Sequence, residues 1–210
     1  NDAQKLLSGN IKNNLFIKTH NCMAEILHKT FTSEQFTKCF IYIVRDPRSV
    51  AISYKHHFIT TYDNAIKQLK NKSLIGFESS FEKVPELVAS WDIHYNSWKN
   101  FLTKGNGLII KYEELVLDPF NTFKKVLIFL NKFLNFEINE EKIKKSLQSN
   151  TLLNLKKIEN EKGFIEKPKN TKEFFRKGQI DEWKYELNSA QNKEIIRNFH
   201  KEMSEIGYIK

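Results

Sequence analysis

The sequence predicts an α/β fold: a single domain with a central parallel sheet flanked by helices. Short apolar runs rich in β-branched and aromatic residues alternate with longer segments whose apolar residues recur every three or four positions. Strands that alternate with helices in this way form parallel sheets, because each helix carries the chain back to the start of the next strand. The length of 210 residues suits one domain, and 40% hydrophobic residues supply a sizeable core.

The first predicted strand begins at Leu15 and ends in Lys18, Thr19 and His20. Open α/β sheets place their chemistry at strand ends, so these polar side chains are candidate site residues. An imidazole can accept a proton from a hydroxyl group near neutral pH, and a lysine can neutralise charge on a leaving oxygen. His20 is therefore a candidate general base and Lys18 a candidate charge stabiliser, although an isolated run of this kind more often holds an ordinary surface histidine.

A loop and a short helix are expected over residues 22–38, followed by a second strand over residues 40–44. Asp46 is a good helix cap, and Pro47 suits the first helical position. A helix is therefore predicted from residue 47 to about residue 58.

Arg45 and Ser53 flank the start of this predicted helix. The positive end of the helix faces Arg45, and Ser53 lies roughly 10 Å up the helix at about 1.5 Å rise per residue. An extended arginine laid alongside the helix would reach the serine, so one phosphate could bridge the two side chains. Taken alone, a structural ion pair is the commoner role for an arginine at this position.

Residues 59–84 lack a sustained period and are expected to be a long loop or short helices. Residues 85–104 predict an amphipathic helix whose aromatic stripe belongs to the core. A third strand runs from Gly107 and finishes in Tyr112 and an acidic pair. A tyrosine at this strand end can stack on a base or hydrogen-bond to it, but is more often simply half-buried.

Further helices are predicted over residues 119–134, over residues 139–147, from about residue 150 or 151, and over residues 189–206. The Lys- and Glu-rich segment 156–173 is interpreted as mobile and able to order over a bound ligand.

Two cations and a glycine follow that segment: Arg176, Lys177 and Gly178. Arginine offers a bidentate fork, and glycine lets the backbone approach a phosphate closely. By itself such a run is usually a solvated loop.

Together, these runs resemble the sulfotransferases that use 3′-phosphoadenosine 5′-phosphosulfate (PAPS). That family has a Lys-Thr-His strand end, matched by residues 18–20. Its next strand ends in Arg, Asp or Asn, and Pro or Ala, with a Ser eight residues after the Arg, and residues 45–53 match this pattern. A Tyr-Glu-Glu-Leu run at residues 112–115 and an Arg-Lys-Gly run followed by an acidic residue and Trp-Lys at residues 176–184 complete the set.

The resemblance implies an activity and a set of site residues. His20 would be the catalytic base, Lys18 would stabilise the leaving oxygen, and Tyr112 would contact the adenine. The 3′-phosphate of the donor would be bound by Arg45, Ser53, Arg176, Lys177 and Gly178. The donor would be PAPS and the product adenosine 3′,5′-bisphosphate (PAP), with no metal ion. The acceptor would be a hydroxyl or amine on a small molecule or a glycan, and the implied fold is similar to that of the P-loop nucleotide kinases.

The chain departs from the family pattern at two places. The family begins with a loop that cradles the 5′-phosphosulfate, whereas residues 1–10 contain no Lys-Ser-Gly-Thr-like run. Residues 1–210 are therefore expected to be a sulfotransferase domain lacking its N-terminal strand and this loop. Either the native N-terminus is missing, through truncation or disorder, or the protein cannot hold the reactive end of the donor and is inactive as a transferase. The first alternative is favoured, because the other motifs are intact. The second departure is Asp181, which stands where the family usually has glycine.

The formal net charge of +9 suits an anionic partner. Nucleic acid, membrane surfaces, acidic glycans and nucleotides all qualify, but the lysines are scattered along the whole chain. The aromatic residues mostly follow core spacing, so a nucleic-acid-binding domain is disfavoured. The main alternative to an enzyme is a non-catalytic binding module for PAP or an acidic glycan.

Cys22 and Cys39 are too few for a disulfide scaffold and lack metal-ligand spacing, so a reduced, cytoplasmic protein is expected. The chain has no run typical of a signal segment or long enough to span a bilayer. The acceptor and the oligomeric state stay open at this point.

Overall fold

The computed structural model of the protein describes residues 4, 14–26, 28–73, 75–76, 86–103, 106–168 and 170–210. Its parallel sheet consists of β3 (Phe40–Val44) and β6 (Gly107–Lys111), with Phe40 opposite Gly107 and Val44 opposite Lys111. Two short antiparallel pairs accompany it: β1 (Glu25–Ile26) with β2 (Lys29–Thr30), and β4 (Ile75–Gly76) with β5 (Glu86–Leu87). The predicted α/β class, with helices around a small parallel sheet, is confirmed.

The helices of the described residues follow the chain order of the prediction. They are α1 (Pro47–His57), α2 (Tyr62–Leu69), α3 (Trp91–Leu102), α4 (Tyr112–Leu117), α5 (Pro119–Leu134), α6 (Glu140–Ser149), α7 (Leu152–Lys162), α8 (Trp183–Glu186) and α9 (Ser189–Ile206). No helix in this described part of the chain is long and apolar enough to cross a bilayer.

Local capping explains why several helix boundaries agree with the sequence prediction. The Asp46 side chain accepts a hydrogen bond from the backbone N–H of Arg48 at 2.9 Å, and Pro47 opens α1. Asn188 and Gln191 form a reciprocal capping box at the start of α9, and Gly207 ends this helix with φ of 81°. The predictions for α1, α5, α6 and α9 are confirmed to within about two residues at each end, and the predicted start of α7 is confirmed to within the same margin.

The core lies between β3, α1, α2, α3 and α9. Its fully buried members include Val44, Ile52, Ile66 and Phe199. The aromatic stripe of α3 is buried in the same region, which confirms its interpretation as core. The end of β3 and the buried face of α1 are therefore anchored in this core.

The first predicted strand is wrong, because residues 14–24 form no strand. The side chains of Leu15, Phe16 and Ile17 are 50%, 70% and 61% exposed. An apolar run becomes a strand only where another strand offers its backbone groups, and no strand within the described ranges pairs with this run. The segment that leads to His20 is therefore irregular surface chain.

Two further predictions are wrong because strand pairing decides the local structure. Within the described part of residues 22–38 the chain forms the β1–β2 pair and no helix. The helix predicted over 85–104 begins only at Trp91, because Glu86 and Leu87 pair with β4 and Ser90 has the extended conformation of an N-cap. Its predicted limits at residues 85 and 104, and residues 77–84 of the predicted loop, lie outside the described residues.

The remaining differences concern residues 112 and 156–173. Tyr112 opens α4 directly after β6 instead of ending the strand. The segment interpreted as mobile begins as the second half of α7, where Glu159 is buried. Glu159 accepts hydrogen bonds from the backbone N–H groups of Phe174 at 2.6 Å and Phe175 at 3.0 Å, which fastens the end of the segment to the helix.

Candidate functional site

Arg45 follows the last residue of β3 and meets two other predicted site segments. Its guanidinium lies over the ring of Tyr112, with 4.2 Å from Cζ to the ring centroid. Its Nη2 donates a hydrogen bond to the carbonyl oxygen of Gln179, directly after Gly178, at 3.0 Å. The Nε atom is buried and finds no acceptor among the described residues. An arginine whose buried Nε lacks an acceptor is suited to an anionic ligand.

Gly178 brings the backbone against Tyr112. Its φ is 62°, and a Cβ atom at this position would lie 3.4 Å from Leu152 Cδ2 and 3.9 Å from Tyr112 Oη. Glycine suits this left-handed conformation, and the distances themselves leave room for a Cβ atom. Asp181 also has a positive φ, of 64°, in the left-handed region that glycine adopts most readily.

Arg176 and Lys177 converge on one carboxylate whose role the sequence analysis did not predict. Arg176 Nη1 lies 3.2 Å from Glu182 Oε1, its Nη2 also contacts this carboxylate, and Lys177 Nζ lies 3.1 Å from it. Burial acts to raise the pKa of Glu182, but hydrogen bonds and charge from the two cations outweigh burial and lower the pKa below its usual range. The buried carboxylate therefore holds the two cations together.

The same cluster lies beside the end of α1. Burial and the charges of Arg176 and Lys55 lower the pKa of His56, a residue of this helix. Ser53, on the exposed side of α1, forms no hydrogen bond with Arg45. The structure therefore brings Arg176 towards α1 but does not join the predicted Arg45 and Ser53 pair.

A buried network around Arg48 supports the start of α1. Arg48 forms an ion pair with Asp46 at 2.6 Å, donates to the carbonyl oxygen of Tyr208 at 3.0 Å, and lies over the ring of Trp183 at 3.6 Å. Tyr208 donates its hydroxyl to Glu113 at 2.9 Å, and burial together with this carboxylate raises the pKa of Tyr208. Sequence reasoning missed Arg48 and Tyr208, because only the tertiary fold brings the C-terminus to this helix.

His20 and Lys18 are held by other carboxylates. His20 Nδ1 lies 3.0 Å from Glu86 Oε2, and Lys18 Nζ lies 2.6 Å from Glu166 Oε1. Neither residue contacts Arg45. The predicted base and the predicted phosphate ligands therefore form two separate groups in this structure.

A cavity of about 220 Å³ lies between the end of β3 and α1. Its wall is mostly apolar and includes Tyr42, Tyr54 and Trp91, with Arg45 and His94 as polar members. Burial lowers the pKa of His94, which favours its neutral form. The cavity is suited to a small apolar molecule that carries a polar group.

Within the described ranges, no group of three or more His, Cys, Asp or Glu side chains is placed to hold a metal ion.

Sequence comparison gives relatives of one kind. A model of the family described as "Sulfotransferase domain" matches residues 4–207. The 3-beta-hydroxysteroid sulfotransferase of Cavia porcellus is 27% identical over 199 residues, covering 91% of this chain and 64% of that protein. The cytosolic sulfotransferase 5 of Arabidopsis thaliana is 29% identical over 162 residues, covering 74% and 48%. The chain thus spans about half to two thirds of the length of these relatives.

Solved structures share the fold. The crystal structure of mouse sulfotransferase SULT7A1 complexed with PAP has a TM-score of 0.64 and 23% identity, covering 83% of this chain and 62% of that one. Retinol dehydratase in a complex with retinol and PAP has a TM-score of 0.58 and 17% identity, covering 78% and 47%.

Proposed function

The chain belongs to the sulfotransferase domain family, and on that premise we propose that it transfers a sulfuryl group from PAPS to a hydroxyl or amine acceptor. The observation that carries the proposal is the meeting of Arg45, Tyr112 and the Gly178–Gln179 backbone at one point. These groups come from three distant parts of the chain, and each matches a different motif for the donor nucleotide.

The residues present fit the nucleotide end of the donor. The buried Nε of Arg45 has no acceptor in the described structure, and a phosphate oxygen would satisfy it. Gly178 would let a phosphate reach the backbone, and the ring of Tyr112 is placed to contact adenine. Arg176 and Lys177 would add positive charge while Glu182 keeps them in place. Ser53 belongs to this phosphate site by its motif and requires a ligand to bridge it to Arg45.

The chemistry falls to His20 and Lys18. The donor supplies the activated sulfuryl group. The acceptor oxygen or nitrogen forms a bond to sulfur while the bond from sulfur to the bridging phosphate oxygen breaks, and the acceptor proton passes to His20. Lys18 neutralises charge on the departing phosphate oxygen. To do so, Lys18 must leave its ion pair with Glu166 and contact that oxygen instead. No covalent enzyme intermediate is needed, and no metal ion takes part.

The acceptor is a small molecule with an apolar body. The apolar cavity beside Arg45 supports this choice, since its lining residue His94 contacts the carbonyl oxygen of His20 at 3.2 Å. Retinol dehydratase, which shares the fold, has been solved with retinol and with androsterone. The protein acts in the cytoplasm, as its two free cysteines favour.

A non-catalytic module that binds PAP or an acidic glycan is the second candidate. The ion pair of Lys18 with Glu166 favours it, because a lysine held by a carboxylate does not neutralise a departing phosphate oxygen. Both candidates predict binding of PAP, and only the transferase predicts turnover.

The transferase is tested by incubating the full-length protein with PAPS and a panel of phenols, sterols, amines and sugars. Released PAP and sulfated product are measured by chromatography. Wild-type protein and His200→Ala, which changes an exposed histidine of α9, are expected to turn over one acceptor class. His20→Ala is expected to abolish turnover and to keep PAP binding. Binding without turnover by the wild type would favour the binding module, and turnover by His20→Ala would reject His20 as the base.

A further inference from the structure

Glu86 contacts both the ring and the backbone of His20. Its Oε2 lies 3.0 Å from His20 Nδ1, and its Oε1 accepts the backbone N–H of His20 at 3.3 Å. One carboxylate therefore fixes the imidazole relative to its own main chain. A surface ion pair between two flexible side chains lacks this second attachment.

Glu86 is itself held in register with the His20 segment. The backbone N–H of Cys22 donates to the carbonyl oxygen of Leu87 at 2.8 Å, and the backbone N–H of Leu87 donates to Asn21 Oδ1 at 2.8 Å. Because Leu87 is bonded to Asn21 and Cys22, the main chain of Glu86 is held beside the His20 segment, within reach of the imidazole. The contact with the imidazole is therefore built into the local fold.

The other ring nitrogen of His20 faces outward. Its Nε2 makes no hydrogen bond to any described residue, and the side chain is 56% exposed. His94 Nε2 lies 3.2 Å from the His20 carbonyl oxygen, and His94 Nδ1 lies 2.9 Å from the hydroxyl of Tyr42. The main chain of His20 is thus held on both sides while Nε2 stays accessible.

We propose that Glu86 is a positioning residue for the sulfuryl transfer: it keeps the proton of neutral His20 on Nδ1 and so presents an unprotonated Nε2 to the acceptor. This inference rests on the proposed function through the role of His20 as the base. A carboxylate is an acceptor only, so the ring nitrogen that faces it must carry the proton. During transfer, Nε2 takes the proton from the acceptor, and the carboxylate stabilises the resulting imidazolium.

The substitution Glu86→Gln reverses this arrangement. The single amide oxygen is needed by the backbone N–H of His20, which leaves the amide nitrogen opposite Nδ1. An NH₂ group donates, so Nδ1 becomes the acceptor and the proton moves to Nε2. The imidazole then has no lone pair directed at the acceptor. Turnover is expected to fall about 100-fold, with the KM for PAPS unchanged.

A matched control exists in the pair of His28 and Glu25. Their side chains are exposed, with 3.6 Å from His28 Nδ1 to Glu25 Oε1. Glu25→Gln therefore makes the same chemical change at another histidine that the proposal leaves without a function. Turnover and the tautomer of His20 are expected to stay as in the wild type.

The test combines ¹⁵N NMR of the His20 imidazole with kinetics and PAP titration on the full-length protein. Spectra taken above the titration range of histidine should show the Nδ1–H tautomer in wild type and Glu25→Gln, and the Nε2–H tautomer in Glu86→Gln. An unchanged His20 tautomer in Glu86→Gln, or a turnover loss no larger than in Glu25→Gln, would overturn the inference. The spectra need no nucleotide, so failure of the wild type to bind PAP rejects the proposed function separately from the Glu86 contact.

Discussion

The two chain segments that carry the candidate chemistry are built in opposite ways. Arg45 follows a paired strand and precedes α1, whose first residues are buried with the Arg48 network behind them. His20 follows an irregular segment with exposed apolar side chains, and carboxylates hold His20 and Lys18. The segment around Arg45, here called the nucleotide side, is thus part of the folded core. The segment around Lys18 and His20, here called the base side, is attached to the surface of that core. Substitutions should accordingly affect stability on the first side and turnover on the second.

The largest effect is expected for Arg48→Ala. The Asp46 and Arg48 side chains are each only 7% exposed, so the substitution leaves a buried carboxylate without its cation. The free energy of unfolding should fall by about 3–5 kcal/mol. Urea denaturation measures this loss, with Arg197→Ala as a control at an exposed position of α9. Equal stability of the two variants would contradict the claim that the Arg48 network stabilises the fold.

A smaller effect, dependent on pH, is expected for Glu159→Gln. At neutral pH the free energy of unfolding should fall by about 1–3 kcal/mol. The charged carboxylate of Glu159 accepts hydrogen bonds from the backbone N–H groups of Phe174 and Phe175, and a neutral amide with one oxygen cannot accept both equally well. Burial acts to raise the pKa of Glu159, but these N–H groups and Lys167 outweigh it and lower the pKa.

The direction of that shift sets the pH dependence. The stability that ionised Glu159 adds is present above its unfolded pKa, near 4.5, and is lost as the pH falls through the lower folded value. The difference between wild type and Glu159→Gln should therefore shrink on acidification. Denaturation curves from pH 7 to about pH 3 test this, with Glu161→Gln as the exposed control on α7. A difference that grows on acidification would contradict the assignment.

The smallest effect is expected for Glu166→Gln on the base side. The Lys18 and Glu166 side chains are 62% and 36% exposed, so their ion pair is screened by solvent. The free energy of unfolding should change by less than about 1 kcal/mol, as measured in the same urea experiment. A loss as large as that of Arg48→Ala would show that the base segment is as much a part of the fold as the nucleotide side.

Sequence reasoning succeeded where local chemistry decides the structure. Asp46, Pro47, Asn188 and Gly207 act on their own helix ends, so the boundaries of α1 and α9 were predictable. The strand expected at residue 15 failed, because strand formation depends on a partner that is distant in sequence. The same reason explains the late start of α3, where pairing with β4 takes up Glu86 and Leu87.

The candidate site also contains residues that the sequence indicated and residues whose role depends on tertiary contacts. The family motifs, and not the residue types alone, indicated Arg45, Tyr112 and Gly178, and the fold brings them together. Glu86 gave no sequence signal, and Glu182 was indicated only as the acidic residue of a family motif. Their roles were not predictable, because a glutamate becomes a positioning group only through the residue it meets in the folded chain. Arg45 donates to the Gln179 carbonyl oxygen and not to Ser53, so the phosphate bridge between Arg45 and Ser53 stays a prediction.

The central claim is that Arg45 anchors the 3′-phosphate of an adenine nucleotide. Calorimetric titration of PAP and of adenosine 5′-monophosphate into wild type, Arg45→Ala and Arg197→Ala tests it directly. We expect wild type and Arg197→Ala to bind PAP alike and to prefer it over the monophosphate. Arg45→Ala should lose at least about tenfold in affinity for PAP, because a charged hydrogen bond to phosphate contributes about 1.5–3 kcal/mol. Equal affinity for the two nucleotides, or unchanged PAP binding by Arg45→Ala, would contradict the claim.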